Sequence, residues 1–240
     1  MKQVFVLLGV VASFIGALSF RGNAPADAVT GAWAINSKGN EQVLLFMDGY
    51  FTSTSYDKAS KRFVQASGGT YSLQNGGFTI NYEFSSDSLQ PVGSAVTYAS
   101  SIKDGRLMTN INGEVQGWNR LDNGEARLAG LWTITARKQN GALQPIHQTG
   151  TRKTVKILTG TRFQWAAIDP GTKQFMGTGG GTYTFQNGKY TEQIEFFSRD
   201  SSRVGSSLSF DGKLEEGNWH HSGLSSKGEP IYEVWGRKKQ

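Results

Sequence analysis

Glu192, Trp219 and His221 are the residues of this chain whose types and positions could do chemistry. Successive side chains of an extended strand point to opposite faces, so from Tyr190 to Phe197 the residues Tyr190, Glu192, Ile194 and Phe196 share one face. A related stretch earlier in the chain carries Phe78, Ile80, Tyr82 and Phe84 on the matching face, apolar and aromatic throughout and therefore expected to point inward. Glu192 then replaces Ile80 and sets a carboxylate among aromatic rings, a costly placement unless the charge is paired. Such a group is either a polar contact for a ligand or a carboxylate that pairs with an arginine or sits at the rim in water. Trp219 and His221 share a strand face and would add an aromatic wall and a group that titrates near neutral pH. Trp165 and Tyr183 are further wall candidates, the other reading of each being ordinary core.

Acid and base work by Glu192 and His221 would be chemistry of the lyase or isomerase kind. A metal is not expected. His147, His220 and His221 are the three histidines, and adjacent residues on a strand face apart, so His220 and His221 cannot readily share an ion. No cofactor is expected either, because the sequence has no serine elbow, phosphate loop or dinucleotide turn. Gly179-Gly180-Gly181 precedes a strand rather than a helix and reads as a place where the backbone bends. Glu83 and Glu195 recur at matching positions on the opposite strand face, which suggests a structural pairing rather than a reaction centre.

What must position these residues is a repeated β unit. GGTYTFQNGKYTEQIEFF, from Gly180, has a near copy in GGTYSLQNGGFTINYEF, from Gly68, and the Asn-Gly pair in each suits a two-residue hairpin loop. The match runs without a gap from Phe51 to Gly93 against Phe163 to Gly205, so Phe51 answers to Phe163 and Ile80 to Glu192. A repeat this long means two complete domains rather than stacked modules. Each reads as a meander of eight or nine short strands. In the first unit, Phe63 to Ala66 and Thr70 to Leu73 are expected as separate strands, and Leu214 to His221 as one strand of the second. An open sheet of this kind would leave two raw edges, which closure into an up-and-down barrel removes.

Composition agrees. There are 31 glycines, 12% aromatic residues and no cysteine, so disulfides and thiolate metal sites are excluded. The formal net charge of +6 is spread along the chain without a basic stripe, and no nucleic-acid partner is expected. Lys2 followed by the apolar run Val4 to Phe20 reads as a secretory leader, with Ala26-Asp27-Ala28 as the small-x-small cleavage signature; an uncleaved anchor is the competing reading. No later stretch is apolar enough to span a bilayer as a helix.

Gly31-Ala32-Trp33 with Arg120, and Gly130-Leu131-Trp132 with Arg237, resemble the lipocalin-like, or calycin, barrels, in which a Gly-x-Trp opens the first strand and a last-strand arginine covers the tryptophan. The second unit, closing on Tyr232-Glu233-Val234-Trp235-Gly236-Arg237-Lys238, is also similar to small lipocalin-like domains of secreted bacterial proteins whose function is unassigned. The resemblance implies a barrel that holds a small apolar ligand. The expected organisation is therefore all-β: a leader over 1–28, one barrel over 29–121, a linker over 122–129 and a second barrel over 130–240. The expected role is export to the periplasm or the outside and non-covalent binding of an apolar or amphipathic molecule by Glu192, Trp219, His221, Trp165 and Tyr183, with the first barrel as scaffold. The alternative is an envelope or surface protein with filled barrels and a protein partner.

Overall fold

Asn187 and Gly188 carry positive φ angles of 50° and 75°, as a two-residue hairpin loop requires, and the strands they join close in register from Gln186 opposite Lys189. This hairpin is the template for the whole chain. The computed structural model describes residues 28–238 except 38, 75, 89, 112, 147–149 and 226. The expected leader, apart from Ala28, lies outside the described residues, as do His147 and Asn75 of the earlier hairpin.

The first half forms β1 (Gly31–Ser37), β2 (Asn40–Met47), β3 (Tyr50–Asp57), β4 (Arg62–Gln74), β5 (Gly77–Ser85), β6 (Ala95–Lys103), β7 (Arg106–Ile111) and β8 (Glu114–Asp122). All neighbours are antiparallel and β1 pairs with β8, closing an eight-stranded barrel. The second half forms β9 (Gly130–Gln139), β10 (Ala142–Pro145), β11 (Lys153–Leu158), β12 (Arg162–Asp169), β13 (Gln174–Gln186), β14 (Lys189–Phe197), β15 (Ser207–Glu215), β16 (Asn218–Leu224) and β17 (Pro230–Arg237). Here β9 pairs with β17, so β9 and β11 to β17 close a second eight-stranded barrel. Strand β10 is an addition that extends β9 into a hairpin beside it. Two tandem closed antiparallel barrels are compatible with a calycin-like fold.

Three local expectations are corrected. The segments Phe63 to Ala66 and Thr70 to Leu73 are one strand, β4, and β13 is likewise continuous through its three glycines. The glycines remove side chains where the barrel wall is crossed: a Cβ on Gly180 would lie 2.6 Å from the Phe196 ring. Leu214 to His221 is not one strand, because Glu216 and Gly217, both at positive φ, turn the chain between β15 and β16. Finally, Phe84 and Phe196 leave the inner face. The register shifts between Gly68 and Gly69 and between Gly180 and Gly181, where the facing strand carries one extra residue, Glu83 or Glu195. Each bulge reverses the alternation beyond it, so Phe196 turns outward and Phe197 turns in.

The outward turn has a destination. Phe84 and Phe196 join Val43, Leu45, Val155 and Ile157 in a buried cluster drawn from both barrels, which explains why β2 is apolar on both faces. Glu83 accepts from Lys153 Nζ at 2.7 Å and Tyr50 Oη at 2.8 Å; Glu195 accepts from Lys58 Nζ at 2.7 Å, from Tyr56 Oη at 3.0 Å and from Arg162. Two of these donors reach Glu195 across the barrel interface, and Lys153 crosses it to Glu83. In each barrel the last-strand arginine covers its tryptophan: the Arg120 guanidinium lies 4.0 Å from the Trp33 ring and that of Arg237 5.8 Å from Trp132.

Candidate functional site

The inside of the second barrel is filled at one end and open at the other. Trp132, Leu128, Phe163 and Tyr183 pack the end where β9 begins. Beyond them a cavity of about 420 Å³ runs toward the β9–β10 hairpin. That volume lies within the range of small-molecule sites.

Lys156 and Glu192 form the buried polar centre of this space. Lys156 is 5% exposed and its Nζ donates to Glu192 Oε1 at 2.7 Å, while Tyr190 Oη donates to the same oxygen at 2.9 Å. The ammonium lies 5.2 to 5.6 Å from the centroids of Phe163, Tyr190, Trp219 and Trp235, so rings as well as a carboxylate stabilise the charge. Burial, and then the adjacent Glu192 charge, push the Tyr190 phenol well above its usual range, so it stays a hydrogen-bond donor.

Glu233 is the second buried carboxylate. It accepts from Arg137 at 2.8 Å and from Trp235 Nε1 at 3.2 Å. Burial alone would raise its pKa, but neighbouring His221, Lys156 and Arg137 outweigh that and hold it down at about 2. His221 Nδ1 stands 3.7 Å from Glu233 Oε2, too far for a hydrogen bond. The imidazole is 3% exposed, lies 4.1 Å from the Phe210 centroid, and has neither nitrogen hydrogen-bonded among the described residues. Burial first, and the Lys156 charge second, lower its pKa, leaving it neutral at pH 7 with one donor and one acceptor unused.

The structure places Glu192, His221 and Trp165 on the cavity wall. Trp219 lies with Tyr190 and His221, its ring 4.8 and 5.1 Å from theirs, and its own buried indole Nε1 has no hydrogen-bond partner among the described residues. Tyr183 stands apart: its hydroxyl donates to the Thr159 carbonyl at 2.6 Å in the filled end, and it does not line the cavity. His220 points outward to Tyr232 Oη at 2.9 Å. Among the described residues no group of three or more metal-ligating side chains converges.

Sequence reasoning missed Lys156, Glu233, Tyr190 and Arg137. Lys156 had a signal, since it occupies the position of Leu44 on an inward face. Glu233 had a weaker one: β16 pairs His221 with Glu233 as β7 pairs Thr109 with Gln116. In place of the quartet Lys156, Glu192, His221 and Glu233, the first barrel has Leu44, Ile80, Thr109 and Gln116.

No protein-family model matches the chain, and none of the curated proteins matches it.

Proposed function

We propose that this is an exported calycin-like carrier whose second barrel binds a small molecule with an apolar body and an uncharged hydrogen-bonding head. The observation that carries this reading is the neutral His221 imidazole, 3% exposed on the wall of a cavity of about 420 Å³ with both nitrogens unpartnered among the described residues. An unpaired polar group in such a place costs about 1 to 3 kcal/mol, which a ligand that hydrogen-bonds it would recover. Charge complementarity speaks for an uncharged head: Lys156 is matched by Glu192 and Arg137 by Glu233, so the cavity centre holds no spare charge for an ion. Export is supported by the basic start and apolar run of Met1 to Phe20.

A head-group series at constant chain length tests this. Decanol, decanoate and decylammonium are titrated while tryptophan fluorescence is followed. Decanol should bind about tenfold more tightly than either ion, and His221→Phe should erase the difference. Equal affinity for all three, or none for any, would overturn the reading. Glu192→Gln should weaken decanol only indirectly, through disorder of Lys156 and Tyr190.

A further inference from the structure

The first barrel holds a cavity of its own, about 280 Å³, that the reading above leaves without a role. Its position matches that of the second, since Ile80 and Thr109 line it where Glu192 and His221 line the other. Its chemistry does not. Among the described residues no charged side chain lines it; the polar wall includes four glutamines, Gln42, Gln65, Gln90 and Gln116, and the hydroxyls of Ser53 and Ser67.

This is an arrangement of neutral groups that both donate and accept. Gln42, Gln65, Ser53 and Ser67 keep part of their surface open, and Gln116 Oε1 is buried without a hydrogen-bond partner among the described residues. Elsewhere the wall is held in place from within. Trp118 Nε1 donates to Thr109 Oγ1 at 2.9 Å, and the Tyr82 and Tyr98 hydroxyls meet at 2.8 Å. Phe78 and Tyr98, with ring centroids 5.7 Å apart, supply an aromatic surface beside the amides.

We propose that the first barrel is a second binding site, selective for a small neutral polyol of monosaccharide size. Hydroxyl groups of such a molecule match amides that donate and accept, and its C–H face matches the aromatic rings. An ion would enter without a counter-charge and is disfavoured. The volume suits a molecule of monosaccharide size, and the glutamine wall would be left unpaired by the long apolar bodies suited to the second barrel. The two sites rest on different residues, so either assignment can fail without the other.

The test uses the whole chain and follows the side-chain amide resonances of the four glutamines by NMR while glucose or myo-inositol is added. Glucuronate and glucosamine serve as charged controls. Glucose or inositol should shift the Gln65 and Gln116 amides, and the charged sugars should bind about tenfold more weakly. Gln116→Leu should weaken the neutral probe about tenfold and leave decanol binding in the second barrel unchanged. Ser67→Val, a smaller change, should weaken it in the same direction if the glutamine variant folds poorly. No shift with either neutral probe up to about 10 mM would overturn the proposal. So would charged and neutral sugars binding equally, or a response lost in His221→Phe instead of Gln116→Leu.

Discussion

Phe84 of the first barrel stacks on Phe175 of the second, with ring centroids 5.9 Å apart. The same relationship appears with the barrels exchanged. Phe196 answers to Phe84 and Phe63 to Phe175, and these two rings stack at 6.5 Å. A contact that recurs with its partners swapped is the signature of a two-fold interface, here between halves of one chain. The turns follow the same rule: Asp48 of the first barrel accepts from Leu131 N at 3.0 Å, and Asp122 accepts from Gly160 N and Thr161 N of the second, each at 2.9 Å. The two barrels therefore share one apolar core in addition to the core inside each.

That shared core gives the first prediction. Phe196 packs on Tyr56 at 4.9 Å as well as on Phe63, and it is buried although it lies outside both barrels. Phe196→Ala should destabilise the protein by about 3 to 4 kcal/mol in urea unfolding, the cost of a large aromatic in a core. A loss below about 1 kcal/mol would mean that the barrels do not depend on each other through this contact.

The duplication, the hairpins and the closed walls were legible because period-two patterning and Asn-Gly turns are local signals. The partition of Glu192 and His221 to the barrel interior was legible for the same reason. The departures are non-local. Glu195 occupies a bulge that no propensity marks, so the inward alternation was carried one residue too far, onto Phe196. Lys156 was overlooked because its counter-charge, Glu192, is three strands away around the wall. Tyr183 keeps the period of an inner residue, yet its depth along the barrel, which decides between cavity and filled end, depends on strand tilt.

The Lys156 and Glu192 pair can be compared with the residues that replace it in the first barrel, Leu44 and Ile80. Lys156→Leu alone would leave the Glu192 carboxylate buried with only Tyr190 donating to it, and should cost about 3 to 5 kcal/mol. Adding Glu192→Ile removes the stranded charge and should recover most of that loss, since apolar residues of similar volume often replace a buried pair without penalty. A double-mutant cycle measured by urea unfolding checks this. Additive losses would show that the two side chains act independently, against the 2.7 Å contact.

Acid sensitivity follows from the two groups at the cavity wall whose pKa values are lowered, and the sign is the same for both. His221 titrates below its ordinary value of 6.5 because burial and Lys156 oppose its charge, with Glu233 and Glu192 only partly offsetting them. Its contribution to stability is complete above about pH 6.5 and is lost as pH falls through the lowered value, where the folded state must take up a proton it disfavours. Glu233 contributes fully above about pH 4.5 and is lost between there and about pH 2, as its carboxylate gives up Arg137. Urea midpoints should therefore fall in two stages on acidification. His221→Gln should flatten the stage nearer neutrality, while Glu233→Gln should flatten the lower one and deepen the other, since it removes a carboxylate that favours the protonated imidazole. Decanol affinity should follow His221 alone, decreasing as the imidazole takes up a proton and loses its acceptor; an affinity that stays constant through the His221-dependent stage of the wild-type unfolding profile would separate the ligand from His221.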